Sequence, residues 1–410
     1  MNLNGEIAML SYDDAIQMVL ETVAPLRPLE VPLSQAVGRV LADSVLARWD
    51  LPPADNSAMD GFAFAFADQV QGTFLKLVGS SFAGQPHQGE IGPGEAVKIT
   101  TGAPLPAGTN TVIPVEETTE EAGHVRLDRE PKEGQHIRRR GEEFHDGEIL
   151  LQAGTELFAG EIALLASAGI TRVRAYPCPR VAILSTGDEL VELGEAPGPG
   201  QIVNSNLHLL TARLKEIGCE PLPLGIGRDT PEALDDAIRS GLQADLFLST
   251  GGVSVGEKDL VQETLARHGF ERRFWKVAIK PGKPVLFGTI GDTPVFGLPG
   301  NPAATAATFE LFVQPALRLL AGHRHALPPR LRGTLTETVK GGGKRQAFLW
   351  CRMEEDEGCY RVIPSQRQGS GQNRSLQGAC ALLPVPVDSP DLEAGSRVEV
   401  LLLRLPARRG

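Results

Sequence analysis

Arg180-Val181-Ala182-Ile183-Leu184-Ser185-Thr186-Gly187-Asp188-Glu189 is the stretch on which the fold turns. Residues 180–184 are a compact apolar run, as in a strand buried on both faces, and a polar glycine-bearing loop follows at once. Strands and helices alternate from there. Residues 205–217 predict a helix with Leu207, Leu210, Leu214 and Ile217 on one face, ended by Gly218. Residues 221–226 read as a strand. Thr230-Pro231-Glu232 caps the next helix, with proline at its first position, and Gly241 stops it. A strand over 244–248 and a helix over 257–268, stopped by Gly269, come next. Residues 284–290 and 293–298 flank Gly291-Asp292, the loop of a β-hairpin. Asn301-Pro302 then caps a long helix to about Leu320. This alternation predicts a doubly wound, mostly parallel α/β domain over residues 178–325.

The flanking regions differ in texture. Ser11-Tyr12-Asp13-Asp14 caps a helix carrying Ile16, Val19, Leu20 and Val23, which Pro25 and Pro28 end. A second helix is expected from Ser34, with Val37, Val40 and Leu41 buried. Residues 1–50 and 141–177, helical over 161–168, read as one bridging α+β region. Between them, residues 51–140 lose helical periodicity; apolar runs at 74–78, 96–99, 111–115 and 124–127 predict an inserted small β domain. After Ala326, runs at 330–339, 346–353, 360–364, 379–384 and 397–405 predict a C-terminal β domain over 326–410.

Composition bounds the function. The chain has 410 residues, enough for several cores, and a net charge of −11 that argues against nucleic-acid binding. Its 46 glycines and 31 prolines demand many turns. The five cysteines form no Cys-x-x-Cys pair and read as reduced, mostly buried thiols. The N-terminus lacks a basic segment before an apolar run, and no apolar stretch reaches the roughly 20 residues of a membrane span. A cytoplasmic protein that binds no membrane is expected.

Three glycine loops follow strands of the α/β domain: 185–189, 249–257 and 297–302. In doubly wound sheets such loops gather at the carboxyl edge, where ligands bind. Their N–H groups and hydroxyls suit an anion. Ser185, Thr186, Gly187, Asp188, Gly251, Gly252, Ser254, Gly256, Pro299, Gly300 and Asn301 are therefore substrate-binding candidates. Gly251 and Gly256 have Walker spacing, but Glu257 stands where lysine must be, and no Gly-x-Gly-x-x-Gly occurs. Lys276, Lys280 and Lys283 cluster around a Pro-Gly turn and suggest an electropositive pocket. Opposing them are Asp60, Glu116, Glu117, Glu142, Glu143, Asp188, Glu189, Asp229, Glu257 and Asp259. Carboxylates beside a phosphate pocket suit Mg²⁺ and phosphoryl or adenylyl chemistry. Gly252–Gly256 spells Gly-x-Ser-x-Gly, but Ser254 lies too far into its loop for a nucleophile elbow. His323 and His325 lack a third ligand nearby, and 138–140 is a short basic run answered by Glu142-Glu143.

These residues carry a family resemblance. Asn56-Ser57-Ala58-Met59-Asp60-Gly61, Thr101-Gly102-Ala103-Pro104 and the segments 137–142, 185–190, 251–257, 278–284 and 297–302 resemble the signatures of the MoeA family, molybdopterin molybdenumtransferases similar to the gephyrin E domain. The likeness implies cleavage of adenylylated molybdopterin, release of AMP and insertion of molybdate, assisted by Mg²⁺ or Zn²⁺. It implies catalytic roles for Asp60, Thr101, Glu189, Asp229, Asp259, Lys276 and Lys280, and metal binding at Glu189, Asp229 and Asp259. Lys283 and Ser370 join the substrate-binding set. It further implies an elongated homodimer with an intersubunit active site, and molybdenum cofactor biosynthesis proteins as partners. Glu143, Asn204, Ala303-Ala304 and Trp350 depart from the family pattern, where Asp, Asp, Ser and Arg are common; Arg352 is an alternative source of the lost arginine. A molybdopterin adenylyltransferase and a non-catalytic scaffold paralogue are the competing readings.

Overall fold

The computed structural model describes residues 9–66, 69–228, 230–252 and 260–408. The chain divides into two compact units, Met1–Glu30 with Gly38–Ala42 and Arg174–Gly410, and Val31–Val37 with Asp43–Val173.

In the larger unit a six-stranded sheet runs in the order Glu220–Gly227, Arg180–Thr186, Leu246–Thr250, Thr293–Leu298, Leu286–Ile290, Glu271–Trp275. The first four are parallel neighbours, and Leu286–Ile290 is antiparallel to the strands on both its sides. Strand alternation divides the side chains between two cores. Val181, Ile183, Leu246, Leu248, Phe296 and Leu298 join one core with Leu207 and Leu210 of helix Ser205–Glu216 and with the 302–320 segment. Ala182, Leu184, Phe247 and Val295 join the other, against Leu234 and Ile238 of Pro231–Gly241 and Val261 and Leu265 of Leu260–Arg267. This is the doubly wound α/β fold that the alternation predicted. Glu271–Trp275 is an added edge strand; its run of charge, Glu271-Arg272-Arg273, hides it from a search for apolar runs.

Three local expectations fail. No helix starts at Ser34: Leu33–Gln35 makes a single 3₁₀ turn, Gly38 turns the chain at φ +75°, and Val37 is 62% exposed. Helix Tyr12–Thr22 packs into the α/β core rather than a bridging region, with the Tyr12 ring 5.7 Å from Phe312 and 5.0 Å from Phe348. The 302–320 helix is interrupted by a π turn at Phe309–Val313. Pro315 has no N–H for the regular ladder, and the Gln314 N–H reaches back to the Phe309 carbonyl instead. Cysteine burial is mixed, with all five thiols free: Cys351 and Cys380 are buried, while Cys178 and Cys359 are exposed. Burial pushes the Cys351 thiol up to about 12.

The C-terminal strands close on themselves. Gln346–Asp356, Cys359–Pro364, Arg330–Leu335, Arg397–Leu402 and Ala381–Val385 pair in that order, and the last pairs back with the first. Cys351 and Met353 fill the barrel, whereas Phe348 and Trp350, pointing the other way, join the α/β core. Ile279–Lys280 adds to the barrel's first strand.

The smaller unit holds a six-stranded sheet in the order Thr111–Pro114, Gly61–Phe64, Glu95–Ile99, Phe74–Ser81, His124–Leu127, Thr118–Glu121. Phe62 and Phe64 face one core and Ala63 the other. Among the described residues, no helix is long and apolar enough to cross a membrane.

A buried ion pair ties the larger unit together. Glu310, in the π turn, accepts two guanidinium hydrogen bonds from Arg213, at 2.7 and 3.1 Å, and Arg213 also donates to the Leu403 carbonyl at 3.0 Å. Burial pushes the Glu310 carboxyl up, against the Arg213 hydrogen bonds that hold it down. Arg213→Ala leaves that carboxylate unpaired and is expected to destabilise the protein by about 3–5 kcal/mol in denaturant unfolding. The double change Arg213→Met with Glu310→Leu is expected to cost less.

Candidate functional site

Register places the three glycine loops side by side. Ser185 pairs with Thr250, and Thr250 with Leu298, so the chain leaves three adjacent parallel strands at one level. The strand order also reverses here: from Arg180–Thr186 the chain first goes to the outer Glu220–Gly227, then crosses to Leu246–Thr250 on the other side. Such a switch point opens a crevice at the carboxyl edge. The loops are knitted together by Gly251 N–H to the Leu298 carbonyl, 3.1 Å, and Asn206 Nδ2 to the Gly300 carbonyl, 2.7 Å. Gly251 has φ +84°, and a Cβ there would lie 2.3 Å from the Thr186 carbonyl oxygen. Only glycine allows that approach.

The predicted residues separate here. Ser185 is completely buried, its hydroxyl accepting from Thr250 Oγ1 at 3.2 Å between the strands. Thr186 is 3% exposed and donates to the Thr250 carbonyl at 3.3 Å. Thr186, Glu189 and Gly300 line one small pocket with Asn204, Ser205, Asn206, Thr250 and Pro302. Asp188 is exposed, and a Cβ on Gly187 would lie 2.5 Å from Glu189 Oε2. Ser254, Gly256, Glu257, Asp259 and Asp229 lie outside the described residues.

Two residues missing from the candidate set stand out in that pocket. Asn204 caps helix Ser205–Glu216, accepting from the Leu207 N–H at 3.3 Å, while its buried Nδ2 has no partner. Asn206 Oδ1 is likewise buried and unpartnered. A donor and an acceptor orphaned in one polar pocket suit a bound polar ligand or water. The sequence marked Asn204 only as a departure, because an Asn-Ser-Asn run before a helix reads as a cap.

The helix N-terminus behind Gly300 is less open than its sequence suggests. The Ser370 carbonyl takes the Ala303 N–H at 2.9 Å and the Ala304 N–H at 3.3 Å, and Asn301 Nδ2 meets Ser370 Oγ at 3.3 Å. Ser370 thus satisfies donors expected to face an anion. Pro299 is buried, and its carbonyl accepts from Thr305 Oγ1. Trp350 is 5% exposed in the core, its indole N–H unpartnered, and lines a cavity of about 110 Å³ with Arg213 and Glu310. Arg352, two residues on, is exposed and lies against Gly378.

The lysines occupy a constrained turn. Lys276 adopts φ +69°, a left-handed conformation, and its ammonium sits 3.7 Å from the centroid of the Trp275 ring. Gly282 at φ +107° presses on Thr308; a Cβ would lie 2.4 Å from Thr308 Cγ2. Lys280 and Lys283 are exposed.

In the smaller unit Asp60 directly precedes the buried strand Gly61–Phe64. A Cβ on Gly61 would fall 1.9 Å from the Ile113 carbonyl oxygen, so that glycine is required by packing. Asp60 Oδ1 accepts from the Thr101 N–H at 2.7 Å and from Thr101 Oγ1 at 2.9 Å. These bonds, the backbone one first, hold its carboxyl below the usual aspartate range. Arg139 and Arg140 pair with Asp55 and Asp50. Arg138, Glu142 and Glu143 line a separate cleft with Leu51, Pro52 and Asn56. Among the described residues no group of three His, Cys, Asp or Glu side chains could hold a metal ion. Of the expected metal ligands, Glu189 lies within the described residues, and Asp229 and Asp259 lie outside them. Burial, with a smaller effect from Arg318, lowers His323 to about 4.

Fold and loops together define a doubly wound α/β protein whose glycine loops gather at a switch-point edge. Residues 182–319 match the family model described as a probable molybdopterin binding domain. Residues 10–169 match the MoeA N-terminal region (domain I and II), and 332–403 the MoeA C-terminal region (domain IV). The chain belongs to the MoeA family. It is 38% identical over 387 residues to the molybdopterin molybdenumtransferase of Nostoc sp., covering 92% of this chain and 88% of the relative. It is 39% identical over 375 residues to that of Haemophilus influenzae, covering 90% and 91%. The crystal structure of the molybdopterin biosynthesis MoeA protein from Pyrococcus horikoshii superposes with a TM-score of 0.83 at 30% identity, covering 97% of this chain and all (100%) of that one.

Two outcomes test this geometry. Gly251→Ala is expected to cost about 1–3 kcal/mol in denaturant unfolding. Gly300→Ala, whose Cβ would meet nothing nearer than Gly251 Cα at 3.8 Å, is expected to stay within about 0.5 kcal/mol. Asp60 is depressed in the folded state, so its stabilising contribution is complete above the ordinary aspartate pKa and is lost as pH falls through the lowered one. Thr101→Val removes the hydroxyl donor. The Asp60 carboxyl carbon, followed by NMR, is then expected to titrate at higher pH than in the wild-type protein.

Proposed function

We propose that this chain inserts molybdenum into molybdopterin. It takes the adenylylated pterin and molybdate, water cleaves the phosphoanhydride, and AMP leaves as the metal enters the dithiolene. The observation that carries the proposal is the alignment of three glycine loops around a polar pocket with unpartnered groups on Asn204 and Asn206. The names of the relatives supply the substrate class. Backbone N–H groups of Gly187, Gly252 and Gly300 bind phosphate, and Lys276, Lys280 and Lys283 neutralise it. Asp60, kept ionised by Thr101, orients the attacking water from the small unit of a second copy, which makes the active protein a homodimer. A divalent cation on Glu189, Asp229 and Asp259 belongs to the same proposal, as does a cytoplasmic location alongside other molybdenum cofactor biosynthesis proteins.

The test is AMP release from adenylylated molybdopterin, with and without molybdate, Mg²⁺ and EDTA. Molybdate-dependent release that EDTA abolishes is the expected result. Binding without release favours the scaffold reading, and net adenylylation of molybdopterin from ATP favours the adenylyltransferase reading. Asp60→Ala and Glu189→Gln are each expected to be inactive. Co-expressed, they are expected to recover up to about a quarter of the wild-type rate, because a mixed dimer keeps one intact intersubunit site. No recovery would place both residues in one subunit's site.

A further inference from the structure

The Arg213–Glu310 ion pair borders the cavity of about 110 Å³ inside the larger unit. Helix Ser205–Glu216, the 302–320 segment and the C-terminal barrel all contribute to its wall. It shares no lining residue with the pocket at the glycine loops, and none of its residues takes part in the proposed transferase chemistry. Leu209, Leu210, Phe309, Leu376, Ala379 and Leu403 make most of the lining apolar. Ala306 adds only a methyl group, which leaves open a space that protein interiors normally fill.

One polar group on this wall is unsatisfied. Trp350 is 5% exposed, and its indole N–H is buried with no hydrogen-bond partner. An indole nitrogen can only donate, so what it lacks is an acceptor. Buried donors are rarely left in that state, and an acceptor supplied by a ligand would remove the penalty.

The charges on the lining leave no demand for an ion. Arg213 is engaged by Glu310 at 2.7 Å and by Glu216 at 2.9 Å. Arg404, exposed at the rim, donates from Nε to the Ala379 carbonyl at 3.0 Å. Two arginines thus balance two glutamates. An anion entering here would add a negative charge beside Glu310 without a free countercharge, so a neutral occupant is favoured. Glu310 offers one more function. Each of its carboxylate oxygens accepts one hydrogen bond from Arg213, and each has a further lone pair for a donor.

Size narrows the choice. An apolar cavity of about 150 Å³ holds a benzene ring, so this space takes a single ring, with the exposed Glu216 and Arg404 marking its open side. We propose that the cavity binds a neutral one-ring lactam. The ring packs on Leu210, Phe309 and Leu403, the carbonyl accepts from Trp350 Nε1, and the lactam N–H donates to Glu310. The proposal stands or falls independently of the transferase reading.

Indole N–H resonances of the full-length protein labelled with ¹⁵N-tryptophan test it. The chain has three tryptophans, and Trp350→Phe identifies the Trp350 signal by its loss. The probes are 2-pyridone, benzene and molybdate, each titrated to about 10 mM. 2-Pyridone is expected to move the Trp350 signal downfield, saturating with a Kd of about 1 mM, while Trp49 and Trp275 stay in place. Benzene, which has the ring without the acceptor, is expected to cause no downfield shift, and molybdate no shift at all. In equilibrium dialysis Trp350→Phe is expected to bind 2-pyridone at least about five-fold more weakly, and Ala306→Leu, which fills the space, at least about ten-fold. Should Ala306→Leu fail to fold, Trp350→Phe decides. A Trp350 signal unmoved by 2-pyridone, as when an ordered water alone holds the N–H, overturns the proposal. So does an equal response to benzene or molybdate, or unchanged binding by Trp350→Phe.

Discussion

The parallel pairing of Arg180–Thr186, Leu246–Thr250 and Thr293–Leu298 is the constraint on which the site depends. Each strand is buried on both faces, so a slip by one residue would exchange the two cores. Register is therefore strongly specified, and the strand ends are specified with it. The glycine loops meet because the strands that precede them cannot slide. Gly251 then completes the arrangement, since no side chain fits between it and the Thr186 carbonyl.

The C-terminal barrel shapes this edge as much as the sheet does. Its Phe348 and Trp350 extend the α/β core, and the Ser370 carbonyl closes the first turn of the helix after Asn301. In this chain the helix N-terminus is thus occupied by protein. The available polar groups are those of the neighbouring pocket, where Asn204 and Asn206 keep unpartnered atoms. Trp350, 5% exposed, belongs to that core and not to the polar edge.

Much of the architecture was legible because burial leaves simple patterns. The apolar runs at 180–184 and 244–248, the Gly291-Asp292 hairpin and the capped helices all appear in the structure within a few residues of their expected bounds. The failures have local causes. Around Ser34 the apolar residues had helical spacing, but Gly38 and extended pairing at Val40 and Leu41 prevail. Gly61–Phe64 is too short and too uniformly buried to show alternation. Among the candidate site residues, Asp60 with Thr101 and the glycine loops were visible as motifs. The closing role of Ser370 and the orphaned amides of Asn204 and Asn206 arise from contacts between distant segments, which local patterns do not encode.

In the proposed function the substrate's phosphates sit at the carboxyl edge of the α/β sheet. A crystal structure of the protein with adenylylated molybdopterin tests it most directly. Phosphate density against the backbone of Thr186, Gly251 and Gly300, with Asn204 or Asn206 newly hydrogen-bonded, is the expected result. Well-occupied substrate that leaves this edge empty would contradict it.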